Sequence, residues 1–122
     1  MKIGEGWQVV LIDDEADIRE IMTIALEDAG YQVATAKDGE AGIRLTEEIL
    51  PQIIITDIRM PGMNGIEVLR KIKEINRDTD IIMLSAHGDS DTIRGTLNMG
   101  ANYFLGKPIE IERLLNILEV LQ

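Results

Sequence analysis

Apolar and polar positions follow two different rhythms along this chain. Gln8 to Ile12 (QVVLI) is an almost continuous, β-branched apolar run, which predicts a strand buried on both faces. From Glu15 to Ala29 the spacing becomes helical, with Ile18, Ile21, Met22, Ala25, Leu26 and Ala29 on one face. Gly30 stands where a helix-terminating glycine belongs. Tyr31 to Ala36 reads as a second strand. Asp38 opens a weaker helix to about Ile49, and Pro51 bars its continuation. Gln52 to Thr56 (QIIIT) is a third buried strand, followed by a loop from Asp57 to Asn64. Asn64 and Glu67 have the spacing of an N-cap and its third-position partner, and Val68, Leu69, Ile72 and Ile75 then mark a helical face. Asp80 to Leu84 is a fourth strand, Ser90 to Met99 a poorly written helix, and Asn102 to Leu105 a fifth strand. Pro108 precedes a last helix with Ile111, Leu114, Leu115, Leu118 and Leu121 on one side.

Strict alternation of strand and helix predicts an α/β fold, with a five-stranded parallel sheet covered on both faces. The doubly wound order 2-1-3-4-5, flavodoxin-like, is the common solution for five such units. Ligands in these sheets bind beyond the strand C-termini, at the switch point between the first and third strands. Chemistry is therefore sought just after Ile12, Thr56, Leu84 and Leu105.

Acids occupy the two ends that flank the switch point: Asp13, Asp14 and Glu15 after the first strand, Asp57 after the third. Ser85 follows the fourth strand and Lys107 the fifth. Each residue alone has a plain structural use, as a helix cap, a turn or a solvated charge. Together they conflict unless something binds there. Two carboxylates ~4 Å apart at an effective dielectric of 20 repel by about 4 kcal/mol. Such a cluster calls for a cation. Oxygen-only ligands point to a hard one, and Mg²⁺ is the ion that bridges to a phosphoryl group. A lysine suits phosphate, a hydroxyl donates to a phosphoryl oxygen, and an exposed carboxylate serves as the nucleophile.

Composition narrows the setting. The chain has 122 residues, enough for one core, and only 3% aromatics, so that core is aliphatic. It has no cysteine, which removes disulfides and thiolate metal sites and suits a reducing cytosol. A net charge of −10 argues against nucleic-acid binding by this domain. No signal-peptide pattern and no apolar run near the ~20 residues of a membrane span is present. We expect one soluble, cytoplasmic domain over residues 1–122, either free-standing or cut from a longer protein.

The ordered elements Asp13-Asp14, Asp57-Ile58-Arg59-Met60-Pro61-Gly62-Met63-Asn64-Gly65, Ser85-Ala86 and Lys107-Pro108 resemble the receiver domain of two-component response regulators. Asp-x-x-Met-Pro-x-Met-x-Gly is the most specific of them. The resemblance implies that Asp57 is the phosphoacceptor and Asp14 the direct Mg²⁺ ligand. Asp13 would act largely through water, and the backbone carbonyl of Arg59 would be a further ligand. It also implies that Ser85 is the switch hydroxyl, where many members have threonine, and that Lys107 pairs with the phosphoryl group. Phe104 matches the switch aromatic, although Tyr103 beside it replaces the commoner acidic residue. The donor would be a sensor histidine kinase, and the domain would catalyse only its own phosphorylation and dephosphorylation.

Three other classes fit less well. A haloacid-dehalogenase-like hydrolase needs an acid two residues after its nucleophile, where this chain has Arg59. A flavodoxin-like cofactor binder needs a phosphate loop where Asp13-Asp14-Glu15 would repel phosphate. A pseudo-receiver would not keep a complete set of site residues. Further expectations concern details. The Lys107–Pro108 bond is expected to be cis. Arg59 and His87, each two residues past a site residue, are expected to tune the phosphoryl lifetime. Ile117 and Val120 lie off the core stripe of the last helix and are expected to be exposed, suiting a homodimer formed on phosphorylation or a following module. The weak fourth helix, with an apolar face of chiefly Ile93 and Leu97, is expected to move with Phe104 and, with the fifth strand and fifth helix, to meet an output partner.

Overall fold

In the computed structural model, residues 6–86 and 90–122 are described. The elements run β1 (Gln8–Ile12), α1 (Ala16–Asp28), β2 (Gln32–Ala36), α2 (Gly39–Ile49), β3 (Ile53–Asp57), α3 (Gly65–Ile75), β4 (Asp80–Ser85), α4 (Ser90–Asn98), β5 (Tyr103–Gly106) and α5 (Ile111–Leu121). The strands form one parallel sheet in the order β2-β1-β3-β4-β5, as the alternation predicts. Among the described residues, no helix is long and apolar enough to cross a membrane.

Side chains of successive strand residues point to opposite faces, so the continuous apolar runs feed two cores. Val9, Leu11, Ile53, Ile55, Ile82, Leu84 and Leu105 pack with Met22 and Leu26 of α1 and Leu114, Ile117 and Leu118 of α5. Val10, Ile12, Ile54, Ile81 and Met83 pack with Val68, Leu69 and Ile72 of α3 and the inner sides of α2 and α4. The parallel register aligns Ile12 with Thr56, Asp57 with Leu84, and Ser85 with Gly106. The chemistry-bearing strand ends are thereby brought level. Asp57 and Ser85 are the last residues of their strands, not the first of their loops, because this pairing extends one residue further than the apolar runs do.

Three helical faces differ from expectation. Ile21 is 58% exposed, because the buried stripe of α1 centres on Met22 and Leu26 and Ile21 stands 100° away from Met22. Ile117 is buried, at 9% exposure, because the stripe of α5 centres on Leu114 and not on Ile111, which brings Ile117 within 60° of its axis. Val120 stays exposed, as expected. On α4 it is Thr96 that is fully buried while Leu97 is exposed; Thr96 tolerates this by donating its hydroxyl to the Ile93 carbonyl at 2.7 Å. Ile93 packs partly against the core, so the apolar face of α4 is thinner than two aliphatics.

The segment after Asp57 is held by α3. Asn64 caps that helix, its side-chain oxygen accepting from Ile66 N and Glu67 N, each at 3.0 Å. Gly65 N–H donates to the Ile58 carbonyl at 2.8 Å. A Cβ on Gly65 would lie 2.3 Å from the Asp57 carbonyl oxygen and 2.7 Å from Ile58 Cα. Both are backbone atoms, so nothing can swing aside. Glycine here is a requirement of close approach, which explains the last position of the Asp-x-x-Met-Pro-x-Met-x-Gly pattern. Gly65→Ala is therefore expected to destabilise the fold by about 1–3 kcal/mol in urea unfolding. Alanine for glycine in an unhindered helix position gains up to ~1 kcal/mol, so a stabilised variant would contradict the clash.

Candidate functional site

Asp13 leaves β1 with its backbone N–H donating to the Ala36 carbonyl at 3.1 Å, so β2 fixes its position. Its side chain is fully buried. Its Oδ1 accepts from Glu15 N at 2.8 Å, and its carbonyl accepts from the Arg19 guanidinium at 2.7 Å. The β1–α1 turn is thus held from both sides. Asp14 and Glu15 at its tip are exposed.

Asp57, 5% exposed, ends β3 at the switch point. Its Oδ1 accepts from Arg59 N at 3.2 Å and its Oδ2 from Lys107 Nζ at 2.9 Å. Burial pushes the Asp57 carboxyl above the usual aspartate range, and the Lys107 hydrogen bond and charge only partly oppose it. Lys107 follows β5, its N–H donating to the Ser85 carbonyl at 2.7 Å, and the Lys107–Pro108 peptide is cis. Its Nζ also lies 3.1 Å from Asp13 Oδ2 and 3.0 Å from Glu15 Oε1. Burial alone would lower the pKa of this ammonium. The hydrogen bonds to Asp57 and Glu15, with the Asp13 carboxylate paired beside them, outweigh it and hold the group above the ordinary lysine range.

Asp13, Asp14, Glu15 and Asp57 each offer a carboxylate oxygen within 4.8 Å of the others. Four acids face one ammonium. Asp13 Oδ2 is buried without a hydrogen bond; its 3.1 Å contact with Lys107 is an ion pair off the hydrogen-bonding line. An orphaned buried anionic oxygen among oxygen donors, with no sulfur or nitrogen, fits a hard divalent cation such as Mg²⁺.

The remaining expected residues surround this cluster. Ser85 is buried at the end of β4. Phe104 is 38% exposed on β5, whereas Tyr103 packs against the α1–α5 core, so the outward ring is Phe104. Arg59 is exposed beside Asp57. His87 lies outside the described residues. Sequence reading missed two contacts, the Arg19 clamp on the Asp13 carbonyl and the reach of Glu15 to Lys107. Arg19 did leave a signal: a cation in the first turns of a helix opposes the macrodipole, so its presence asks for a specific partner.

The family model for the response regulator receiver domain matches residues 9–119 of this chain. The chain is 41% identical over 108 residues to the probable transcriptional regulator ycf27 of Guillardia theta, covering 88% of this chain and 42% of that protein. It is 36% identical over 112 residues to the phosphate regulon transcriptional regulatory protein PhoB of Pseudomonas aeruginosa, covering 90% of this chain and 49% of that protein. The chain therefore spans about half the length of these relatives or less. The crystal structure of a response regulator receiver domain protein from Clostridium thermocellum superposes with a TM-score of 0.91 at 32% identity, covering 94% of this chain and 93% of that one.

The charge imbalance has a measurable consequence. An acid whose pKa is raised by folding costs stability where it is ionised. At pH 7 without divalent metal, Asp57→Asn is expected to stabilise the fold by roughly 1 kcal/mol, since an amide oxygen can still accept from Lys107. Mg²⁺ should raise the melting temperature of the parent protein more than that of the variant. Equal stabilisation of both by Mg²⁺ would mean that Asp57 takes no part in holding the cation.

Proposed function

The chain belongs to the response regulator receiver domain family, whose general role is signal switching through phosphorylation on an aspartate, and from that premise we propose that Asp57 is the phosphoacceptor. The observation that carries this is the place of its carboxylate: at the switch point, within 4.8 Å of three other acids and 2.9 Å from Lys107 Nζ. Nucleophile, cation ligands and phosphate-binding charge meet nowhere else among the described residues.

Response regulators receive their signal from histidine kinases, and we assign the donor here to a phosphohistidine. An Asp57 carboxylate oxygen attacks phosphorus, a P–O bond forms, the P–N bond breaks, and its electron pair stays on the leaving imidazole. Asp14, exposed at the turn tip, Asp57 and the Arg59 carbonyl would hold Mg²⁺ directly, and Asp13 would act through water; the ion would supply positive charge to the phosphoryl oxygens. Lys107 pairs with the phosphoryl group, and the Ser85 hydroxyl donates to one of its oxygens.

Three further assignments complete the reading. The domain is a switch that acts on itself, catalysing its own phosphorylation and slow dephosphorylation. Arg59 and His87 tune the lifetime of the phosphoryl group. The output face consists of α4, β5 and α5, where Leu97, Phe104 and Val120 are exposed for a partner, an effector module or a second copy. Ser85 and Lys107 bring the signal there, because the Ser85 carbonyl and the Lys107 N–H are hydrogen-bonded across the β4–β5 edge.

Incubation with acetyl phosphate and Mg²⁺, followed by intact-mass measurement, tests the core of this assignment. One phosphoryl group is expected on the parent protein and none on Asp57→Asn. Asp14→Asn should keep the acceptor but raise the Mg²⁺ requirement about tenfold or more. Undiminished acid-labile phosphate on Asp57→Asn would place the acceptor elsewhere.

A further inference from the structure

A lysine ammonium has three N–H donors. In this structure three carboxylates surround Lys107 Nζ: Asp57 at 2.9 Å, Glu15 at 3.0 Å and Asp13 at 3.1 Å. Two donors are taken by Asp57 and Glu15, and Asp13 crowds the remaining side without a hydrogen bond, so this lysine side chain, 15% exposed, presents no open face to an incoming phosphoryl group. Asp57 and Asp13 are buried and fixed by the fold, whereas the Glu15 side chain is 57% exposed. Glu15 is the partner that can leave.

A second observation concerns what Glu15 forgoes. It is the N-cap residue of α1, yet its side chain makes no capping hydrogen bond. Serine, threonine, aspartate and asparagine are preferred there because their short side chains reach back to the helix N–H groups. The longer glutamate instead reaches a residue 92 positions away in sequence. Its backbone N–H, taken by Asp13 Oδ1 at 2.8 Å, aims the side chain across the crevice.

We propose that Glu15 is a positioning residue that tethers Lys107 in the unphosphorylated protein, so that a phosphoryl donor must displace it to reach the lysine. This rests on the reading of Asp57 as phosphoacceptor. Tethering lowers the affinity for anionic donors and leaves the rate at saturation unchanged, because Glu15 does not touch the reacting atoms. It also keeps the lysine aimed at Asp57, ready for the group that replaces the glutamate.

Two measurements test the tether, and one of them needs no phosphorylation. Exchange of the Lys107 ammonium protons with water, followed by NMR on ¹⁵N-labelled, metal-free protein, should be about two- to fivefold faster in Glu15→Gln, the span of an exposed ion pair. Glu15→Asp keeps the charge but shortens the reach, and should also speed exchange. With acetyl phosphate, the half-saturating concentration should fall about two- to fivefold in Glu15→Gln at an unchanged maximal rate. Asp17→Asn, which removes the same charge from the first turn of α1 without an ion pair to Lys107, should change neither. Unaltered exchange in Glu15→Gln, or an equal fall in half-saturation for Asp17→Asn, would overturn the tether. Failure of the parent protein to take up phosphate would overturn the phosphoacceptor reading, and the exchange data would still decide the tether.

Discussion

Like charges confined to one crevice are the condition around which this molecule is organised. Asp13 and Asp57 are buried and stand opposite each other at the ends of adjacent strands, with Asp14 and Glu15 close by. One ammonium is shared among three of the four carboxylates. Water cannot screen the buried pair, so besides Lys107 the surrounding fold must hold it: the Ala36 carbonyl behind Asp13, the Arg19 guanidinium on its other side, and α3 behind Asp57. The cost of assembling these acids is what suits the crevice to a hard cation.

Holding the acids level requires the sheet to keep its register, and the opposite end of the sheet supplies that. Near the strand N-termini, the Gln52 side chain accepts from Gln8 N at 2.8 Å, and Gln8 Nε2 donates to the Gln32 side chain at 3.3 Å. Asn102 receives from Ile81 N at 2.8 Å, and Thr79 donates to the Pro51 carbonyl at 3.3 Å. A slip in pairing would break these bonds and move the core side chains of a strand to the wrong face. Neutral amides and hydroxyls thus fasten one end, leaving the charged end free to hold unfavourable chemistry.

The fold was legible because its signals are local. Buried parallel strands are short apolar runs, helices carry a 3.6-residue period, and Asn64 and Gly30 mark ends by their own chemistry. The acids, Ser85 and Lys107 were legible as a site only through topology, which says that strand ends one, three, four and five converge. What escaped was tertiary. Whether Ile117 or Val120 is covered depends on which way α5 is rolled against the sheet, and a stripe read from the wrong reference residue misassigns its edge. Leu97 looks apolar enough to be buried, yet Thr96 takes that place by satisfying its own hydroxyl. The Glu15–Lys107 contact joins residues 92 apart, and no spacing rule reaches that far.

The tight approach of Gly65 to the Asp57 carbonyl gives the crevice a mechanical polarity. On the α3 side, backbone rests on backbone at van der Waals distance, with a hydrogen bond and a doubly used asparagine cap behind it. That wall acts as an anvil. On the other side, the Ser85 carbonyl and the Lys107 N–H are joined by one hydrogen bond where β4 and β5 end, and α4 beyond them rests on a thin apolar face with a buried threonine. A new group inserted between a stiff wall and a compliant one displaces the compliant one. On the proposed reading of Asp57, a group added at this central point would therefore meet less resistance toward β4, β5 and α4 than toward α3, without needing any dedicated lever.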